Sequence, residues 1–117
     1  MNYFENHNGF GVLSTANSEG IINAALYARP HIQNGRAIFL AAPTQTLQNL
    51  QQNPNAHYLF QQEGDGYQGV RLQLKLHNIV NDQERAKELR RAHKDSNDVE
   101  VRILEFDIIN TSALVGK

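Results

Sequence analysis

The sequence has no cysteine among its 117 residues, which excludes disulfides and thiolate chemistry and leaves the redox compartment open. No apolar run approaches the roughly 20 residues that a membrane-spanning helix needs. The first eight residues read M-N-Y-F-E-N-H-N and contain neither the basic nor the apolar region of a signal peptide. We therefore expect a cytoplasmic protein with no membrane partner.

The sequence also lacks a surplus of charge of either sign. Eleven Lys and Arg residues face twelve Asp and Glu residues, and the net charge of −1 does not favour a nucleic-acid partner. The five histidines have no metal-ligand spacing, so no metal site is predicted. With 40% hydrophobic residues, the chain has enough apolar surface for the core of one domain over residues 1–117.

Short apolar runs separated by turn signals dominate the chain and predict strands. Asn34-Gly35 is the strongest hairpin signal, because this pair suits the two-residue turns that join antiparallel strands. Six strands are predicted, at residues 10–16, 21–32, 37–42, 56–61, 70–80 and 99–109.

The predicted fifth strand has a strict alternation of apolar and polar residues. Its even positions from Val70 to Leu76 are apolar, while Arg71, Gln73 and Lys75 occupy the other face. We expect one face to be buried and the other to contact solvent, a ligand or a partner. In the last strand the alternation breaks near Leu104, which predicts a bulge or an end that is buried on both faces.

Two helices are predicted between the strands. A short helix follows Pro43, with Thr44 as its N-cap, and ends at Asn53-Pro54. A longer helix over residues 82–93 has acidic residues in its first turn, basic residues in its last turn, and a thin apolar stripe. Six strands with few helices predict a mainly β (α+β) fold, a six-stranded antiparallel split β-barrel with two short peripheral helices.

The start of the short helix is a candidate phosphate site. A buried strand leads into a hydroxyl-rich helix start, where unpaired N–H groups and the positive end of the helix dipole favour an anion. Thr44 has a plainer interpretation as a helix cap, and it can serve in both roles.

The order and spacing of several segments resemble the pyridoxamine 5′-phosphate oxidase-like family of flavin-binding split barrels. The matching segments are N-G-F-G-V-L-S-T-A-N-S-E-G, A-R-P-H, N-G-R-A-I-F-L, T-Q-T-L-Q-N-L-Q-Q-N-P-N-A and G-Y-Q-G-V-R-L. The resemblance covers nearly the whole chain. It implies a homodimer with FMN bound at the subunit interface.

Carried over by position, the resemblance implies a flavin wall from two segments, residues 23–27 and 40–42, and a phosphate end after the third predicted strand. Many family members have a Ser-Arg-Lys triplet at the phosphate end, whereas this chain has Thr44-Gln45-Thr46 and no cation in the triplet. Arg29 and Arg71 are the candidate replacements for the missing cations. The cofactor-binding residues so predicted are Asn23, Ala25, Tyr27, Arg29, Ala41, Thr44, Gln45, Thr46, Asn49 and Arg71.

Two functions of different classes follow. The first is a small FMN-binding flavoprotein, an FMN-dependent oxidoreductase or electron carrier in which the cofactor performs the redox chemistry. The second is a non-enzymatic binding module on the same fold, which has lost FMN and binds another small ligand or none. No residue is an evident general acid or base, and the sequence names no substrate.

Overall fold

The computed structural model describes residues 3–92 and 100–115 of the chain. The fold is mainly β with two α-helices, as predicted, and a short 3-10 helix covers Tyr3–Glu5. The predicted helix end at His93 and strand start at Val99 lie outside the described residues. The elements are β1 (Gly9–Ala16), β2 (Ile22–Tyr27), β3 (His31–Gln33), β4 (Arg36–Ala41), α1 (Gln45–Gln52), β5 (Asn55–Gln62), β6 (Gly69–Val80), α2 (Gln83–Ala92) and β7 (Arg102–Ala113).

The described strands form one antiparallel sheet of seven strands, in the order β2-β1-β5-β6-β7-β4-β3. The prediction of six strands was wrong, because the run over residues 21–32 is two strands separated at residues 28–30. Pro30 lies in this break and is buried, and a proline has no N–H to donate to a strand ladder. As a result β2 and β3, neighbours in sequence, lie at opposite ends of the strand order. Closure of the sheet into a barrel stays a prediction.

The Asn34-Gly35 hairpin is confirmed. The pairing of Gln33 with Arg36 leaves two residues in the turn between β3 and β4. Asn34 has φ 53° and Gly35 has φ 75°, the left-handed conformation that such a turn requires at both positions.

The facing predicted for β6 is also confirmed, since Leu72 and Leu74 are buried while Gln73 and Lys75 are exposed. The two breaks in its register with β7 lie between Gln73 and Leu74 and between Leu76 and Asn78.

The broken alternation near Leu104 has a different origin, because β7 is buried on both faces there. Ile103 and Leu104 are consecutive, and both are fully buried. Leu104 belongs to the main core, while Ile103 belongs to a smaller core beneath α2. The alternative of an end buried on both faces therefore applies, and the register shift between Leu76 and Asn78 lies close by, opposite Phe106 and Glu105.

Two apolar cores hold the helices against the sheet. Leu47 and Leu50 of α1 enter the main core, while Ala86 and Leu89 of α2 pack with Ile38 and other residues of the smaller core. Both helices are short, and in the part of the chain that the structure describes neither is long and apolar enough to cross a membrane.

Candidate ligand groove

The end of β4, the start of α1 and one face of β2 border a groove of about 510 Å³, within the size range of small-molecule sites. Alternation along β2 directs every second side chain toward this groove. Six of the predicted cofactor residues line it: Asn23, Ala25, Tyr27, Thr44, Gln45 and Thr46. Leu26, Ala28, Leu40 and Ala42 complete the lining.

The two ends of the groove differ in polarity. One end has the hydroxyls and amide of the Thr44-Gln45-Thr46 turn, and the other has Tyr27 and Leu40. Among the described residues that line the groove, none has a charged side chain. The groove therefore offers apolar contact at one end and hydroxyl, amide and backbone donors at the other, and its lining provides no cationic side chain.

The start of α1 leaves backbone donors available at the polar end. Thr44 is the N-cap residue and is extended, with φ −129°, but its side chain makes no capping hydrogen bond. Thr44 is therefore the N-cap residue, as predicted, but it holds this position without a side-chain hydrogen bond to the helix. The first N–H groups of a helix have no partner within the helix, so a group lying in the groove can accept from them.

Asn49 and Ala41 lie beneath the groove rather than in its wall. The Nδ2 of Asn49 donates to Oγ1 of Thr15 over 3.1 Å, and its Oδ1 accepts from Nε2 of Gln45 over 2.8 Å. Asn49 is buried by these contacts, and Ala41 is buried in the main core. In this structure both residues position the helix and strand that form the groove.

Tyr58 supports the other end of the groove. Its hydroxyl donates to the backbone carbonyl oxygen of Tyr27 over 3.0 Å, and its ring is fully buried in the main core. Burial raises the pKa of Tyr58 above its ordinary value, which keeps the phenol protonated as a donor. The hydrogen bond therefore fixes the last residue of β2.

Arg29 lies beside the groove but does not line it. Its Nη1 donates to the carbonyl oxygens of Phe4 and His7 over 2.9 and 2.8 Å, and to Oδ1 of Asn8 over 3.0 Å. These contacts join the break between β2 and β3 to the segment before β1. Sequence reasoning missed this role, because the acceptors are mostly backbone atoms far away in the chain.

Arg71 lies on the outer face of the sheet and does not line the groove. Its Nε donates to the carbonyl oxygen of Ala113 over 2.8 Å. Burial lowers the pKa of His57, and the charge of Arg71 on the adjacent strand lowers it further. Neither arginine proposed as a replacement cation therefore lines the groove within one chain.

The outer face of the sheet has a row of apolar side chains. Val12 pairs with Leu26 on one side and with Leu59 on the other, so the three side chains lie next to each other. Leu26, which also borders the groove and belongs to the terminal strand β2, is 74% exposed, and Leu59 is 38% exposed. We call these three residues the apolar row. Arg71 pairs with Leu59 and extends the row with a charge.

No group of three or more His, Asp or Glu side chains arranged to hold a metal ion is found within residues 3–92 and 100–115. The five histidines belong to different elements or loops or lie outside these residues.

No model of a known family and no curated protein matches the sequence. Solved structures do match the fold. An F420 reductase superposes with a TM-score of 0.71 at 16% identity, covering 91% of this chain and 90% of that one. An FMN-binding protein from Syntrophomonas wolfei gives 0.73 at 16% identity, covering 92% and 78%. An FAD-binding protein from Mesorhizobium loti gives 0.70 at 14% identity, covering 91% and 85%.

At these identities the likeness shows a shared fold. That fold occurs in proteins described as FMN-binding and FAD-binding. It is consistent with the resemblance of the sequence to the pyridoxamine 5′-phosphate oxidase-like family.

Proposed function

We propose that the protein is a small flavoprotein that binds FMN in the groove. The observation that carries this proposal is the convergence of β2, β4 and the start of α1 on one uncharged groove of suitable volume. Support also comes from the fold, which is shared with proteins named as FMN-binding and FAD-binding. A fold alone does not determine a function, so the argument depends on the residues of the groove.

The lining fits a flavin in two parts. Tyr27, Leu40 and Ala25 offer apolar contact for the ring system, and the Thr44-Gln45-Thr46 turn offers hydroxyls, an amide and backbone N–H groups for the phosphate. Bound flavin would supply one-electron or hydride transfer. The protein would orient the ring and exclude water.

We further propose that a second copy of the chain covers the apolar row, giving a homodimer. A surface row of three adjacent apolar side chains favours an interface, and a two-fold axis lets the same patch pair with itself. Arg71 extends the row and would therefore face the second copy. From there it could contribute a cation to the groove of that copy.

Titration of flavin fluorescence tests the cofactor proposal. We expect saturable quenching of FMN by the wild-type protein. Thr46 is buried, so the exposed Thr44 is the better position for an added charge. Thr44→Asp places a carboxylate at the helix start, where it interacts favourably with the helix dipole but repels a phosphate. It should lower the affinity for FMN about tenfold or more and the affinity for riboflavin much less.

Gln48→Glu is the matched control, because Gln48 is exposed on the same helix but does not line the groove. It should leave the ratio of FMN to riboflavin affinity almost unchanged. Equal weakening of both flavins by Thr44→Asp would contradict the placement of the phosphate. If FMN gives no saturable quenching, the alternative of a binding module without flavin replaces this proposal.

A further inference from the structure

A second, smaller cavity adjoins the groove beyond Tyr27. Its volume is about 110 Å³, and it shares Tyr27, Ala28 and Leu40 with the groove. The remaining lining consists of Arg29, His31, Ile38, Phe39 and Arg90. We call this cavity the basic pocket. It lies at the opposite end of the groove from the Thr44-Gln45-Thr46 turn.

The basic pocket concentrates positive charge. Two guanidinium groups supply this charge, one imidazole adds a hydrogen-bonding group, and no carboxylate is among the described lining residues. Arg90 is only 9% exposed, although it belongs to the basic last turn of α2. A buried charge is costly unless polar or anionic groups compensate it. His31 and Arg90 have partners within the protein, so their burial does not by itself require a ligand, and an anion would add to an existing network.

Arg29 has donors that its contacts with the N-terminal segment do not use. All three of its hydrogen bonds to the N-terminal segment come from Nη1. Among the described residues, Nε and Nη2 have no hydrogen-bond acceptor. Its planar guanidinium can therefore hold the N-terminal segment with one nitrogen and bind an oxyanion with the other two.

We propose that the basic pocket binds an oxyanion, the phosphate or carboxylate group of a small molecule, through Arg29, His31 and Arg90. Guanidinium groups bind both kinds of anion through pairs of charge-assisted hydrogen bonds. Two ligands could supply this anion. One is a second, acidic small molecule held beside the flavin ring, and the other is a flavin that lies in the groove in the reverse direction and brings its own phosphate. Only this assignment of the source rests on the proposed function.

The binding of inorganic phosphate tests the site directly and requires no flavin. We expect saturable broadening of the phosphorus NMR signal of inorganic phosphate by the full-length protein. Arg90→Gln should weaken this binding about tenfold or more, because it removes one charge-assisted contact. Arg91→Gln is the matched control, since Arg91 is exposed on the same helix and does not line the pocket. It should change the affinity less than about twofold.

His31→Gln is a second variant, in case the buried Arg90 is needed for folding. Thermal unfolding of each variant identifies those that retain the fold. His31→Gln should weaken phosphate binding while Arg91→Gln does not. Absence of saturable broadening by the wild type, or equal weakening by Arg90→Gln and Arg91→Gln, would overturn the proposal.

Competition with flavins separates the two sources. If the anion is the phosphate of FMN, inorganic phosphate should raise the apparent Kd of FMN but not that of riboflavin. If the anion belongs to a second molecule, inorganic phosphate should bind the FMN-loaded protein as well as the free protein. A wild-type protein that binds inorganic phosphate but no flavin would contradict the proposed function and still support this site.

Discussion

A Cβ atom on Gly11 would overlap the hydroxyl and the ring of Tyr58. Because Gly11 has no side chain, Tyr58 can extend across β1 to the carbonyl oxygen of Tyr27. Tyr27 in turn lines both the groove and the basic pocket. This glycine fixes the junction between the two cavities without contacting a ligand itself.

The first prediction concerns this close approach. Gly11→Ala should destabilise the protein by about 1–3 kcal/mol or more, because the ring of Tyr58 must move within a packed core. Urea unfolding monitored by circular dichroism measures the change. In a Tyr58→Leu background the same substitution should cost much less, since the overlapping atoms are gone. Additive effects of the two substitutions would contradict the steric explanation.

The second prediction concerns the alternating strand β6. Leu74 is 1% exposed in the main core, so Leu74→Ala should cost about 2–5 kcal/mol. Gln73→Ala, one position away on the exposed face, should cost less than about 0.5 kcal/mol in the monomer. Denaturant titration compares the two variants directly. Comparable losses would mean that the contacts of the outer face matter as much as the core.

The third prediction concerns the pH dependence of His57. Burial and then the charge of Arg71 lower its pKa below the unfolded value of about 6.5. A lowered pKa favours the neutral imidazole in the folded state. The contribution to stability is therefore full above pH 6.5 or so, and it is lost as the pH falls through the folded pKa.

Arg71→Gln should accordingly raise the pKa of His57 toward its ordinary value, and an NMR titration of the His57 ring protons measures the shift. Lys75→Gln is the control, because Lys75 is exposed on the same strand but is not a cause of the lowered pKa. A His57 titration that is the same in Arg71→Gln and the wild type would show that burial alone determines it.

The fourth prediction concerns assembly through the apolar row. Light scattering should give a dimer for the wild type at micromolar concentration. Leu26→Glu combined with Leu59→Glu should give a folded monomer, because it places like charges across a self-complementary interface. Tyr67→Glu replaces an exposed aromatic residue in a loop away from the strands, and it should remain dimeric. A monomeric wild type would refute the proposed assembly.

Local signals predicted most of the strands. The alternation of β6 gave the correct buried face, and Asn34-Gly35 gave the correct turn, because both signals depend on residues close together in sequence. Pro30 marks the break in the sequence, but the apolar residues on both sides of it favour one long strand. The predicted number of strands was therefore wrong at Pro30, the residue whose missing backbone N–H ends the strand.

The resemblance named the segments 23–27, 40–42 and 44–46, and in the structure residues from all three line one groove. Their binding of a cofactor stays a prediction. The basic pocket was missed, because Arg29, His31 and Arg90 come from separate elements and Arg90 resembles an ordinary helix-terminal cation in sequence. Burial of such a residue is a tertiary property that composition and periodicity do not encode.

Strand β7 connects two parts of the sheet that are otherwise not paired with each other. It pairs with β6 on one side and with β4 on the other, although α1, β5, β6 and α2 separate β4 from β7 in sequence. Without β7 the described ladders separate into a four-stranded piece, β2-β1-β5-β6, and the hairpin of β3 and β4. Each piece then has an unpaired edge to which another chain can bind. The pairing of β7 with β4 and β6 must therefore form before two chains associate through these edges.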